Sequence, residues 1–333
     1  MATLHLTHTA ALTDLAPPWH PERADRIRAI EGRLERQRFA ALVREQAPRV
    51  AHAALHRAHD EGYIAATLCG LESGCLPERD GDTQLGPGTL EAALRSAGAA
   101  VQAVDEVMTG QVRNAVSVMR PPGHHAGRAR SAGFCFFNNV AVAARHARAF
   151  HGAGRVAILD WDAHHGDGTQ EIFWDDPSVL FCSTHQWPLY PGTGAACERG
   201  EHGTIVNVPL PEGADGTLFR AALETVVLPR IAAFEPDLVL ISAGFDAHWR
   251  DPLAGLDFTE DDFRWATERL VDVADRVCGG RVVSLLEGGY DLIGLARSAA
   301  AHVEGLMEPP SRAVERAAEP VPEPAPVMDP AST

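Results

Sequence analysis

Basic residues are scarce in this 333-residue sequence. Lys and Arg together number 29 against 45 Asp and Glu, which gives a formal net charge of −16. Sequence-independent binding to nucleic acid or to an anionic membrane surface depends on Lys and Arg, so the composition argues against both partners. Cationic ligands fit this charge better.

Long apolar runs and paired cysteines are also missing. No stretch approaches the roughly 18 apolar residues that cross a bilayer, and the N-terminus lacks the basic and apolar segments of a signal peptide. The six cysteines form no C-x-x-C pair, and several lie inside apolar runs such as residues 134–137. We therefore expect a cytoplasmic protein whose cysteines are free, buried thiols.

Short apolar runs alternate with longer amphipathic stretches along most of the chain. The apolar runs predict strands at residues 4–6, 115–119, 156–159, 179–183, 204–208, 238–241 and 282–286. Helices are predicted at residues 140–150, 217–234 and 259–278, among others, and residues 49–64 suggest a further passage from strand to helix. This alternation is typical of an α/β fold with a mostly parallel central sheet and helices on both faces.

The composition indicates one domain and a tail. Residues 1–307 contain the alternating pattern, whereas residues 308–333 are rich in Pro, Ala and Glu and are expected to be disordered. Within the domain, residues 70–88 are rich in Gly, Pro and charge, which predicts a long surface loop that includes Asp82.

Polar residues cluster where the predicted strands end. The stretch ILDWDAHHGDGTQ at residues 158–170 brings Asp160, Asp162 and His164 to alternate positions, so they can share one face while the chain stays extended. His124 and His125, Asp246 and Tyr290 follow three other strands. Because the carboxyl ends of parallel strands meet at one edge, we expect all of these residues to converge there.

These residue types allow metal-assisted hydrolysis. Asp162, His164 and Asp246 would provide three ligands and leave a position for water, as in catalytic zinc sites. His124 and His125 are suited to proton transfer, and Asp160 and Asp167 to orienting them. Tyr290 can donate its phenol hydrogen to an oxyanion.

Several motifs together resemble the histone deacetylase and acetylpolyamine amidohydrolase superfamily. They are HPER at residues 20–23, RPPGHHA at 120–126, GFCFFNN at 133–139, DWDAHHGDGTQ at 160–170, YPGTG at 190–194, SAGFDAH with DPL at 242–253, and LEGGYDL at 286–292. The resemblance covers roughly residues 3–306 and implies the arginase-like α/β fold and a zinc-dependent deacetylase. The motifs DPL and LEGGY are most similar to those of the class II branch, although Asp167 stands where that branch commonly has Asn.

The resemblance assigns roles to individual residues. It implies zinc ligation by Asp162, His164 and Asp246, with His125 as general base and acid and His124 as its electrostatic partner. It pairs His124 with Asp160 and His125 with Asp167, and makes Tyr290 the oxyanion donor. It further implies an acyl-lysine tunnel walled by Phe134 and Tyr190, a substrate N–H bound by Gly133, a rim acid at Asp82, and a potassium site at Asp160, Asp162, His164, Ser183 and Thr184.

The sequence leaves alternatives open for the substrate, for catalytic activity and for the number of metal ions. Relatives that select polyamines carry an acid where this chain has Leu253, so an acylated lysine side chain is favoured over an acetylpolyamine or another acylated small amine. A catalytically silent binding module would be expected to lack a ligand or the oxyanion donor. A binuclear manganese site of the arginase type would need further carboxylates near Asp162 and Asp246.

Overall fold

A single parallel sheet of eight strands forms the centre of the computed structural model, which describes residues 2–13, 19–74, 83 and 86–308. The strands lie in the order β2-β1-β3-β8-β7-β4-β5-β6, and each neighbouring pair is parallel. Their bounds are β1 Thr3–Thr7, β2 Val43–Gln46, β3 Asn114–Ser117, β4 Val156–Asp160, β5 Val179–Gln186, β6 Ile205–Leu210, β7 Leu238–Ala243 and β8 Val282–Leu286.

Helices connect the strands and cover the sheet. Their bounds are α1 Ala10–Thr13, α2 Asp25–Leu34, α3 His52–Leu55, α4 Glu61–Ser73, α5 Thr89–Met108, α6 Asn139–His151, α7 Asp167–Phe173, α8 Gly216–Ala222, α9 Leu228–Phe234, α10 Glu260–Cys278 and α11 Leu292–Met307. This arrangement confirms the predicted α/β fold. No helix among the described residues is both long and apolar enough to span a membrane.

The core follows from strands that are apolar on both faces. Every residue of β4, β5, β7 and β8 is buried, as expected for parallel strands covered by helices on both sides. The helix ends are fixed locally. At α10, Thr259 and Asp262 form a capping box, and at α6 the Asn138 side chain accepts from the Ala141 N–H at 3.0 Å.

Three local predictions differ from the structure. Residues 49–64 contain the short helix α3 and the start of α4 but no strand; the strand of this region is β2, which precedes them. The predicted helix at 217–234 is divided by a π-helical turn at Leu223–Val227. Two of the cysteines that we expected to be buried, Cys69 and Cys197, are exposed, although the described cysteines are all free thiols.

The sheet order brings the polar strand ends together. Strands β3, β8, β7, β4 and β5 are consecutive neighbours, and they lead respectively into the segments that carry His124, Tyr290, Asp246, Asp162 and Tyr190. Because the strands are parallel, these segments all leave the sheet at the same edge.

Candidate active site

Three potential metal ligands meet at this edge. The Nδ1 atom of His164 lies 3.1 Å from Asp162 Oδ1 and 3.0 Å from Asp246 Oδ2. All three side chains are buried, and their ligand atoms lie within 4.8 Å of one another. Bonds of about 2.0 to 2.2 Å in a tetrahedral zinc site separate ligand atoms by about 3.3 to 3.6 Å. The donor types and their spacing therefore fit a divalent zinc ion.

The electrostatics of the cluster also favour a cation. Burial and the nearby charge of Asp162 raise the pKa of Asp246 to about 7. Burial opposes the charged form of His164, yet its hydrogen bonds to the two carboxylates raise its pKa to about 10. Two buried carboxylates this close repel each other, and a positive charge between them relieves that repulsion.

Glycine makes the close approach of these ligands possible. The carboxylate of Asp162 accepts from the Gly288 N–H at 2.8 Å. A Cβ atom at Gly288 would lie 2.3 Å from Asp246 Oδ2, and one at Gly244 would lie 2.1 Å from Asp162 Oδ2. Any larger residue at these two positions would displace the ligands.

Two carboxylate-paired histidines flank the ligand cluster. The His124 Nδ1 atom lies 3.0 Å from Asp160 Oδ2, and the His125 Nδ1 atom lies 2.7 Å from Asp167 Oδ1. The two imidazole rings are 4.0 Å apart. Both lie next to the ligand cluster, since His124 Nε2 is 3.9 Å from Asp162 Oδ2 and the His125 ring is 6.2 Å from the His164 ring.

The two histidines differ in their protonation. Burial lowers the pKa of His125 to about 4, and the adjacent charge of His124 acts in the same direction. Burial also disfavours the charged form of His124, but Asp160, Asp162 and Glu287 together raise its pKa well above the usual value. At neutral pH the site thus holds one imidazolium and one neutral imidazole that can accept a proton.

Arg130 is a member of the site that the sequence patterns did not indicate. Its guanidinium donates to Asp167 Oδ2 at 2.5 Å. Burial opposes ionisation of Asp167, but the hydrogen bond from His125 and the charge of Arg130 lower its pKa to about 2. The carboxylate that orients His125 therefore stays ionised. No turn or strand-end signal distinguishes Arg130 from other loop arginines.

Tyr290 is held by Asp251, which was also missed. The Asp251 carboxylate accepts from the Tyr290 N–H at 2.6 Å and from the Leu253 N–H at 3.0 Å. Burial raises the pKa of the Tyr290 phenol well above its usual value, so the hydroxyl stays protonated. The Arg26 guanidinium lies 5.0 Å from the centre of the Tyr290 ring.

Aromatic rings surround the histidines and the tyrosine. The Tyr190 ring lies edge-on, 5.1 Å from His125 and 6.3 Å from His164, and the Phe134 ring lies 6.0 Å from Tyr290. Gly133 precedes Phe134 with a φ of +52°, and a Cβ atom there would lie 2.3 Å from His125 Cδ2. Phe134 and Tyr190 are therefore placed beside the reactive groups.

The remaining predicted site residues occupy varied positions. Leu253 is on the surface, with 37% of its area exposed. Ser183 is the register partner of Asp160 in the sheet and is followed by buried Thr184. His165 points away from the ligand cluster, towards Thr193 and Gln170. Asp82 and the tail at residues 309–333 lie outside the described residues.

A second group of potential ligands lies between α5 and α6. Both His146 Nε2 and His151 Nε2 lie 2.7 Å from Asp105 Oδ1. The Asp105 carboxylate is 47% exposed, whereas the carboxylates of Asp162 and Asp246 are buried. The Arg57 guanidinium also lies 3.3 Å from His146 Nδ1, so this nitrogen accepts and Nε2 carries the hydrogen. This group fits an ion-paired helix contact.

The fold and the site together are typical of metal-dependent hydrolases, because buried metal ligands lie beside histidines able to transfer a proton. A model of the family described as the histone deacetylase domain matches residues 20–306, and the chain belongs to this family of deacetylases. The resemblance noted in the sequence is thereby confirmed.

Curated relatives include deacetylases from three kinds of organism. The chain is 38% identical to a probable deacetylase of Archaeoglobus fulgidus, over 88% of this chain and 83% of the relative. It is 40% identical to the histone deacetylase-like amidohydrolase of Pseudomonas aeruginosa, over 81% and 72%. It is 41% identical to the polyamine deacetylase HDAC10 of Mus musculus, over 76% of this chain but only 40% of that protein.

A solved structure agrees with the fold. The crystal structure of the HDA15 HD domain superposes with a TM-score of 0.86 at 37% identity, and the match covers 92% of this chain and 89% of that one. The arginase and deacetylase-like fold predicted from the motifs is therefore confirmed.

Proposed function

We propose that this protein is a zinc-dependent amidohydrolase that removes acetyl or other acyl groups from N-acyl-lysine side chains. The observation that carries the proposal is the buried cluster of Asp162, His164 and Asp246 beside one neutral and one cationic histidine. Membership of a deacetylase family supports the same reaction.

The three ligands would hold the zinc ion through two carboxylate oxygens and one imidazole nitrogen. When bound there, zinc supplies Lewis acidity toward the substrate carbonyl and lowers the pKa of water. The carboxylates are pre-oriented by backbone amides, since the Ala163 N–H donates to Asp246 Oδ1 at 2.8 Å and the Gly288 N–H donates to Asp162 Oδ2. Their geometry then needs little rearrangement on metal binding.

Proton transfer is assigned to His125. Its low pKa leaves the imidazole neutral at physiological pH, so it can accept a proton from the attacking water. The same imidazole then returns a proton to the departing amine. Ionised Asp167 stabilises the imidazolium that forms, and cationic His124 contributes positive charge next to the developing oxyanion.

The remaining groups bind and orient the substrate. The protonated phenol of Tyr290 would donate to the oxyanion that develops on the carbonyl. Phe134 and Tyr190 supply apolar faces for the methylene groups of a lysine side chain, and the Gly133 carbonyl accepts the substrate N–H. Asp82, at the rim, would bind backbone amides of a peptide.

A structural potassium ion and a two-part chain complete the proposal. Asp160, Asp162, His164, Ser183 and Thr184 would bind potassium, and the pairing of Asp160 with Ser183 in adjacent strands supports this set. Residues 1–307 would form the catalytic domain and residues 308–333 a disordered tail.

Substrate profiling tests the proposal. Purified protein loaded with zinc is assayed on fluorogenic peptides that carry acetyl-lysine or longer acyl-lysines, before and after chelation and after zinc is restored. We expect turnover that chelation abolishes and zinc restores, and a fall in kcat of about 100-fold or more in the Tyr290→Phe variant. If the zinc-loaded protein hydrolyses none of the acyl-lysine peptides, the proposal is contradicted.

A small-molecule deacetylase is the second candidate, favoured by the likeness to a polyamine deacetylase. Acetylputrescine and acetylspermidine belong in the same substrate panel. Surface-exposed Leu253 offers no charge for a distal ammonium, so we expect lower kcat/KM on these amines than on peptides. The Leu253→Glu variant should raise kcat/KM for acetylspermidine, and faster turnover of acetylspermidine by the native chain would favour the alternative.

A further inference from the structure

Glu287 is a buried acid beside the active site whose hydrogen bonds the proposed reaction does not account for. It directly follows β8, and none of its surface is exposed. Its Oε2 atom accepts from the Gly123 N–H at 2.6 Å and from the His124 N–H at 3.2 Å, and its Oε1 atom accepts from the Ser242 hydroxyl at 2.9 Å. The donors in these three bonds are all neutral groups.

These bonds act on the turn that presents both histidines. The Ala126 N–H donates to the Gly123 carbonyl at 3.0 Å, so His124 and His125 are the two central residues of a β-turn. Glu287 binds the first N–H of this turn and the next one. It therefore anchors the backbone from which the two imidazoles project.

The backbone of Glu287 is fixed at the same time. Its N–H donates to the Ala243 carbonyl at 3.0 Å, and its carbonyl accepts from the Arg26 guanidinium. Arg26 also donates to the Gly289 carbonyl at 2.6 Å, one residue before Tyr290. Glu287 thus links three segments: the turn that carries His124 and His125 after β3, the end of β7, and the turn that carries Tyr290 after β8.

Stability alone does not account for a carboxylate here. Removing an acid from water into the core is costly, and a well-packed apolar side chain of the same size is often at least as stable. The carboxylate does provide strong, directional bonds to amides that are otherwise unpaired. The carboxylate therefore serves to fix the backbone that carries His124 and His125.

We propose that Glu287 is a positioning residue, which holds the His124–His125 turn in register with the turn that carries Tyr290. The inference rests on the proposed deacylation, in which these three side chains act on one carbonyl. Misplacement of a catalytic group by about 1 Å is enough to lower a rate about 100-fold.

Three variants separate geometry from charge. Glu287→Met keeps the volume and removes the oxygen that accepts from both backbone N–H groups. Glu287→Gln keeps one oxygen for the two amides and lets its NH₂ group donate to Ser242. Ser242→Ala is the matched control, because it removes the hydrogen bond from the hydroxyl and keeps the two hydrogen bonds from the Gly123 and His124 N–H groups.

We expect Glu287→Met to lower kcat on an acyl-lysine peptide about 10- to 100-fold with KM changed less than about 2-fold. Glu287→Gln and Ser242→Ala should stay within about 3-fold of native kcat. Amide hydrogen exchange, followed by mass spectrometry, should accelerate in residues 123–127 only in Glu287→Met. If that variant does not fold, Glu287→Ser, which leaves room for water at the amides, is expected to show the same two changes to a smaller extent.

Native kcat in Glu287→Met, or unchanged exchange in residues 123–127, would overturn the inference. An equal loss of kcat in Glu287→Gln would also overturn it, because the negative charge of Glu287 would then matter more than its hydrogen bonds with the backbone N–H groups. If the native protein hydrolyses no acyl-lysine, the proposed function fails, and the exchange measurement still decides whether Glu287 fixes the turn.

Discussion

His124 and His125 are adjacent in the chain, yet their surroundings give them opposite charges. His125 is buried beside a cation, which lowers its pKa to about 4. His124 faces three carboxylates, which outweigh its burial and raise its pKa. At the scale of single residues, neighbours rather than residue type decide which histidine can accept a proton.

Gly133 shows how little space surrounds His125. An added Cβ would lie 2.3 Å from His125 Cδ2, at a φ of +52° that favours glycine. We expect Gly133→Ala to displace the imidazole and lower kcat about 100-fold while the protein stays folded. Gly32→Ala is the control, since nothing lies within 4 Å of the added Cβ. Steady-state kinetics with circular dichroism check both, and native kcat in Gly133→Ala would refute the packing argument.

At the scale of secondary structure, the strand ends explain what the sequence could predict. Asp162, His164 and Asp246 follow apolar strands, so the pattern itself indicates a shared edge. Glu287 obeys the same rule, one residue after β8, and could have been found by applying it there. Arg130 could not, because its contact with Asp167 depends on the path of a loop that no periodicity describes.

The junction of β8, α10 and α11 predicts a pH effect on stability. His302 bonds Thr267 Oγ1 at 2.6 Å and Ser284 Oγ at 2.8 Å, and burial lowers its pKa from 6.5 to about 3. The unfolded chain binds this proton below pH 6.5 and the folded chain does not, so stability falls as pH drops below that value. The expected contribution is about 1.4 kcal/mol per pH unit between 6 and 4.

Urea unfolding at several pH values measures this contribution. The His302→Gln variant should show a shallower loss of unfolding free energy below pH 6.5 than the native protein. Substitution of the exposed His202 by Gln should leave the native slope unchanged. Identical slopes in native and His302→Gln proteins would show that His302 is not the group responsible.

A buried ion pair joins the segment before α2 to the loop that carries His124 and His125. Arg120 Nε donates to Glu22 Oε1 at 2.6 Å, and both side chains are almost fully buried. Arg120→Met leaves the Glu22 carboxylate with Arg26 as its remaining partner, so we expect the free energy of unfolding to fall by about 3 kcal/mol. The exposed pair of Arg28 and Asp25 serves as control, where Arg28→Ala should cost less than about 1 kcal/mol. A loss at Arg120 no larger than at Arg28 would contradict the assignment.

For the molecule as a whole, the parallel sheet determines where function resides. Five neighbouring strands end at one edge, so residues distant in sequence form one site. The fold class followed from apolar runs and their spacing, whereas the error at residues 49–64 arose because a short helical turn and a strand start share the same apolar pattern. The cytoplasmic location and the disorder of the tail stay predictions.

Metal content measured together with turnover tests the central claim most directly. We predict one zinc per chain, lost together with acyl-lysine hydrolysis in Asp246→Asn. Asp105→Asn should keep both, because Asp105 is half-exposed and its contacts with His146 and His151 fit an ion-paired helix contact. Two transition-metal ions per chain, manganese-dependent activity, or full turnover by zinc-free protein would contradict the account.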